Sequence, residues 1–191
     1  MMQSEDTTFS VPRFLSFIDL AYLLEAIKVA DEHLAAKIPG GGTDDARNVT
    51  GNLNATRQSL MRAVFIASYA TIEQNLDELV LMEREKRSVA LSPSDLKHRG
   101  VARSLTYAIK VLGKDIDQND SHWKDLLILQ DVRNHLAHYG PSFADSKDHD
   151  TRFRKFSNFE YVTLRPVICF TIEQIERIFD LYMTCIDDFS K

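Results

Sequence analysis

Apolar residues recur at helical spacing over most of this chain. From Phe14 to about Lys37 they fall at Phe14, Phe17, Ile18, Ala21, Leu24 and Ile27, close to the three-and-four spacing that puts side chains on one face of a helix. Pro12 suits the first turn of that helix, and Pro39-Gly40-Gly41-Gly42 ends it. A flexible linker is expected from there to about Asn52. A second helix follows from about Leu53 to Arg87, with Leu60, Val64, Ala67, Ile72, Leu76, Leu79 and Val80 on its apolar face and a tip of alternating charge, Glu83 to Arg87. Ser92-Pro93-Ser94-Asp95 reads as the entry to a third helix, serine as cap and proline in the first turn, closed by Gly113. Asp120 or Ser121 would cap a fourth, which carries Trp123, Leu126, Leu127, Leu129 and Val132 and ends at Gly140-Pro141.

Beyond Pro141 the pattern weakens. Residues 140–158 are polar, with Asp145, Lys147, Asp148, His149 and Asp150, and read as a long loop. Phe159 to Leu164 alternates and is rich in aromatic and β-branched residues, so a short hairpin is expected near 151–165. Helical spacing returns from Val167 to Phe189 through Ile168, Ile172, Ile175, Ile178, Phe179, Tyr182 and Ile186. Five helices with modest connections predict an all-α, up-down bundle. One domain spanning 1–191, its core at about 14–189, is the expectation for 191 residues.

Composition narrows the setting. A hydrophobic fraction of 44% can supply a core, and a net charge of −5 gives no global basic footprint for nucleic acid, so any such contact must be local. Cys169 and Cys185 are too few for a disulfide framework and sit in apolar surroundings, which fits reduced thiols and a cytoplasmic setting. The polar, acidic start, Met1 to Asp6, is not a signal peptide, and no apolar run reaches the roughly 18 residues of a membrane span. The three consecutive glycines lack the strand and the Gly-Lys-Ser/Thr of a phosphate-cradling loop, and no cofactor motif stands elsewhere.

The chemistry concentrates in Arg133-Asn134-His135-Leu136-Ala137-His138-Tyr139-Gly140, where the fourth helix stops. Arginine presents a permanently charged fork that matches phosphate, and an imidazole titrates near neutral pH, which suits proton transfer. Asn134 and His138, four apart, share a helix face, as do His135 and His138, three apart. Arg133 and His138 are five apart and rotated by about 140°. One copy of the chain therefore does not aim both at one point, whereas a two-fold dimer would bring both pairs into one cleft. The same residues also fit a structural role, with Arg133 and His138 bonding the last carbonyls at the negative end of the helix dipole.

Arg133-Asn134-His135-Leu136-Ala137-His138 resembles the Arg-x4-His motif, with Asn second, of HEPN-domain proteins. Phe65-Ile66-Ala67-Ser68-Tyr69-Ala70-Thr71-Ile72-Glu73-Gln74-Asn75-Leu76 and the Trp123-x2-Leu126-x2-Leu129 run are similar to the helices that accompany it, so the resemblance covers residues 14–189. It implies a helical bundle that dimerises and, in many members, acts as a metal-independent endoribonuclease, often a toxin or defence effector. By that analogy His138 exchanges protons with the ribose 2′-hydroxyl or the leaving oxygen. Arg133 stabilises the phosphorane and Asn134 orients the phosphate or the imidazole. A nucleotidyltransferase or other antitoxin partner is implied in related toxins, where a tyrosine stands two residues past the histidine. Here Tyr139 follows directly and Gly140 holds that place.

Around this motif, Glu73 is an acid amid apolar neighbours and needs a partner, for which Arg133 or His138 is a candidate; a half-exposed helix flank is the other reading. His135 and Tyr139 are supporting candidates, His135 more as a polar core-edge residue than as a catalyst. Arg152, Arg154, Lys155 and Arg165, interleaved with Phe153, Phe156, Phe159 and Tyr161, would supply phosphate contacts and base stacking, or form a solvated hairpin with one aromatic face inward. A zinc site from His122, His135, His138 and His149 lacks a third ligand at dependable spacing. Two functions follow: a dimeric HEPN-type ribonuclease, and a non-catalytic HEPN scaffold that binds a partner protein or nucleotide.

Overall fold

A computed structural model describes residues 11–40, 42–144 and 149–191, with side chains from Ile18 onward. The side chains of Phe14 and Phe17, the acidic start at 1–6, Gly41, and the loop residues Asp145, Lys147 and Asp148 lie outside the described residues. The elements in order are α1 (Val11–Ala36), α2 (Asp44–Lys86), a 3₁₀ turn (Pro93–Asp95), α3 (Val101–Lys110), α4 (Ser121–Tyr139), α5 (His149–Ser157), β1 (Thr163–Leu164), β2 (Ile168–Cys169) and α6 (Ile172–Ser190). The architecture is an all-α bundle with one short antiparallel hairpin, Thr163 facing Cys169 and Leu164 facing Ile168. Among the described residues no helix is long and apolar enough to cross a membrane.

Helix α2 is the spine. Its 43 residues span roughly 65 Å at 1.5 Å per residue, long enough to meet α1, α3, α4 and α6. Its buried residues, Met61, Val64, Phe65, Tyr69, Ile72, Leu76, Leu79 and Val80, keep the three-and-four spacing and face α4 and α6. The half of α2 before Met61 is polar and packs along α1, where Arg57 makes a two-pronged bond to Asp31 (Nε–Oδ1 2.6 Å, Nη2–Oδ2 2.7 Å). Helix α4 contributes Trp123, Leu126, Leu129, Val132 and Leu136. Helix α6 contributes Ile175, Ile178, Phe179, Tyr182, Cys185, Ile186 and Phe189. One oxygen, Asp188 Oδ2, accepts from Trp123 Nε1 (2.9 Å) and meets His122 Nε2 (3.1 Å), fastening the start of α4 to the end of α6. Burial pushes the Asp188 carboxyl up, but bonds from Trp123, His122 and Lys191 outweigh it and hold the group below its usual range.

Three boundaries correct the sequence reading. The expected linker to Asn52 is helical from Asp44, because Thr43 caps α2 by accepting from the Ala46 N–H (3.2 Å) and Asp44 and Asp45 complement the helix dipole. Ser92-Pro93 caps only a 3₁₀ turn, and α3 starts eight residues later behind Gly100. The expected loop at 140–158 contains α5, a sixth α-helix, which buries Phe156 and sets Phe153 edge-on to Phe143. The hairpin accordingly begins only at Thr163.

Candidate functional site at the end of helix α4

Helix α4 ends where Gly140 takes φ +70° and its N–H bonds back to the Leu136 carbonyl (3.1 Å). Only glycine enters that backbone region without strain, which fixes the stop right after Tyr139. The last seven helical residues, Arg133 to Tyr139, then point in different directions, and their surroundings assign them different capacities.

Arg133 faces α2. Its Nη2 donates to Glu73 Oε2 (2.9 Å), its Nη1 donates to Asn134 Oδ1 (2.9 Å), and its guanidinium carbon lies 5.7 Å from the Tyr69 ring centroid. The Arg133 and Glu73 side chains are 30% and 26% exposed, so the pair is open to solvent on one side while anchored on the other. Arg133 is thus the partner that the apolar surroundings of Glu73 demanded. Behind it, Tyr69 is fully buried, and burial holds its hydroxyl well above the usual tyrosine range.

The Glu73 carboxylate is crowded from a third helix. Gly100, at φ +60°, sits so close that a Cβ there would lie 2.9 Å from Glu73 Oε1 and 3.2 Å from Gln130 Oε1. Gln130 in turn accepts from the Ala102 N–H (3.4 Å) at the start of α3. Glu73 of α2, Gly100 at the head of α3, and Gln130 and Arg133 of α4 therefore form one polar junction.

His135 is sealed. It is 0% exposed, its ring lies 4.5 Å from that of Phe143, and Phe156 meets it edge-on. Its Nε2 donates to the Ser142 carbonyl (2.9 Å), while Nδ1 is buried without a partner among the described residues. Burial lowers its pKa, so the ring is held neutral. His135 thus fastens α4 to the segment that leads to α5. His138, by contrast, is exposed; its ring contact is the edge of Tyr139 at 6.5 Å, and it makes no hydrogen bond among the described residues.

Helix α5 lies alongside. The Arg152 guanidinium carbon is 5.3 Å from the Tyr139 ring centroid, and Lys155 Nζ pairs with Asp131 Oδ2 (2.5 Å). Asp131, Asn134, Thr151, Arg152, Lys155 and Phe156 line a cleft of about 300 Å³ between α4 and α5. Arg154 is exposed and outside that lining, and Arg165 lines a separate cavity beside α1 and α6. Helix α4 thus brings Arg133, Asn134 and His138 to one end of the bundle, and α5 adds Arg152 and Lys155. No hydrogen bond or ring contact joins Arg133 to His138 within one copy.

Gly100, Gln130 and Asp131 escaped the sequence reading. Gln130 and Asp131 immediately precede the motif, a spacing that could have marked them, whereas nothing local in sequence ties Gly100 to Glu73. Among the described residues no three His, Cys, Asp or Glu side chains gather to hold a metal ion. No known family's profile, no curated protein and no solved structure matches the chain.

Proposed function

We propose that the exposed end of α4 is the active site of a HEPN-type, metal-independent endoribonuclease assembled from two copies of this chain. The observation that carries the reading is the contrast between two residues of one helix end: Arg133 held by Glu73 and Asn134, and His138 exposed without a hydrogen-bond partner among the described residues. A fixed cation and an accessible imidazole are what cleavage by the RNA's own 2′-hydroxyl needs. The 2′-oxygen attacks phosphorus as its proton passes to a neutral His138 imidazole. The 5′-oxygen leaves with a proton from a water molecule, whose hydroxide is neutralised by the proton that His138 took, giving a 2′,3′-cyclic phosphate and a 5′-hydroxyl. Arg133 keeps N–H donors beyond the two in use, and these would stabilise the negative charge that grows on the phosphorane oxygens. The roughly 140° between Arg133 and His138 along the helix is the reason for the second copy. A cytoplasmic toxin or defence effector, with an antitoxin or nucleotidyltransferase partner, is the setting in which such an enzyme would act.

A second reading rests on the same ion pair. Glu73 offsets the charge of Arg133, which suits a scaffold whose Arg133 joins α4 to α2 and whose helix end binds a protein or nucleotide. Incubation of purified protein with single-stranded RNA in excess chelator separates the two. Cleavage that vanishes in His138→Ala supports the enzyme. Intact RNA with a stable dimer supports the scaffold.

A further inference from the structure

Charge at the site is unevenly compensated. Arg133 is paired with Glu73 and Lys155 with Asp131, while Arg152 has no carboxylate partner among the described residues. Arg152 is held instead over the Tyr139 ring, next in sequence to His138. A guanidinium on an aromatic face keeps its full charge and its donor edge free for an incoming anion. The cleft it lines is dominated by donors. Asn134 spends its Oδ1 on Arg133 Nη1, which turns its amide N–H groups the other way, and Thr151 adds a hydroxyl. Among the described residues the carboxylate lining it is Asp131, which is occupied by Lys155.

We propose that Arg152, with Asn134 and Thr151, forms a binding subsite for an RNA phosphodiester adjacent to the one that is cut. The proposal rests on the ribonuclease reading and divides its two arginines. Arg133, already half-neutralised, acts on charge that develops during reaction. Arg152 grips a phosphate that carries its charge throughout. An interaction made equally in the ground and transition states appears in KM, and one made only in the transition state appears in kcat. Anion binding through donors, rather than base reading, fits a cleft whose carboxylate among the described residues, Asp131, is already paired.

The test uses a fluorescein-tagged 2′-O-methyl RNA, which lacks the attacking hydroxyl, titrated by anisotropy over a range of salt, beside cleavage kinetics on the unmodified RNA. Arg152→Gln is expected to weaken binding about tenfold at low salt and to shrink the slope of log Kd against log salt by about 0.7, the loss of one phosphate contact on a single strand. In cleavage it raises KM about tenfold and changes kcat less than twofold. Arg133→Gln shows the opposite split. Lys86→Gln, at the far tip of α2, controls for net charge and keeps the wild-type slope. Arg152→Lys, which retains the charge without the fork, recovers the slope and part of the affinity; it is read in place of Arg152→Gln if that variant melts early. Wild-type cleavage with an unchanged KM and salt slope in Arg152→Gln, or with an unchanged KM in Arg152→Lys where it stands in, overturns the subsite and leaves the nuclease standing. A folded wild-type protein that neither binds nor cuts RNA overturns both.

Discussion

Arg133 Nη2 donates to Glu73 Oε2 at 2.9 Å, joining the end of α4 to the middle of α2 beside Gly100, where a side chain would collide with the carboxylate. Packing, electrostatics and the proposed chemistry meet at this bond. The guanidinium is oriented by a carboxylate that is itself confined by a third helix.

Gly100→Ala should therefore be costly for two separable reasons. An alanine at φ +60° is strained, and its Cβ would meet Glu73 Oε1 at 2.9 Å. A loss of about 1–3 kcal/mol in urea denaturation is expected. Gly113→Ala, at φ +66° with open space around it, should lose only the backbone part, about 1 kcal/mol. Combining Gly100→Ala with Glu73→Ala should cost less than the sum of the single changes, because the second relieves the collision created by the first.

The buried His135 makes stability depend on pH with a definite sign. Its pKa is lowered in the folded state, so the unfolded chain binds the proton more readily, and stability is lost as pH falls through the unfolded value of about 6.5. His135→Phe removes this component while leaving the Ser142 carbonyl without its donor. The variant should be less stable at pH 7.5. Its further loss between pH 7.5 and 5.5 should be smaller than that of the wild type by up to about 1 kcal/mol. Equal losses in the two proteins would remove His135 as the titrating group.

Asp188 has the opposite sign. Its folded pKa is depressed by the bonds from Trp123, His122 and Lys191 despite the desolvation that opposes them, so its stabilisation is present above the unfolded carboxylate value and disappears as pH falls through the folded one. Asp188→Ala leaves the Trp123 indole N–H, in a fully buried side chain, without its acceptor. A cost of about 1–3 kcal/mol at pH 7 is expected by chemical denaturation. It should shrink in acid.

Much of this could be read from the chain. The apolar stripes of α2, α4 and α6 gave a helical bundle because burial on one face imposes a period that short-range preferences do not disturb. The motif could be placed on the last turns of α4 because Gly140 and Pro141 can only end it. Glu73 was legible as an acid in need of a partner. Three things were not. Helix α5 is polar over most of its nine residues and owes its place to Phe156 and to the aromatic packing of Phe153 and Phe143, contacts invisible to local pattern. Gly51 and the asparagines at 52 and 54 disguised the early part of α2, whose long pairing with α1 outweighs their poor helix propensity. The crowding of Glu73 by Gly100 spans three helices, and no spacing along the sequence encodes it.

Arg133 and His138 share one fate in cleavage and part in stability. Arg133→Ala and His138→Ala should each reduce RNA cleavage by at least about a hundredfold, as losses of charge stabilisation and of proton transfer do in general. They should differ in stability: Arg133→Ala leaves Glu73 unpaired beside Gly100, while exposed His138→Ala should stay within about 0.5 kcal/mol of wild type. Thermal melting alongside initial rates checks both.

The most direct measurement mixes subunits. An Arg133→Ala chain and a His138→Ala chain, each inactive alone, are combined and assayed on RNA in excess EDTA. If two copies share the site, a mixed dimer retains one intact arginine and one intact histidine from different chains, and 2′,3′-cyclic phosphate ends reappear at a fraction of the wild-type rate. Mixed dimers that leave RNA as intact as either chain alone, while the wild-type protein cuts it, would contradict the shared site, and wild-type protein that leaves RNA intact would contradict the whole account.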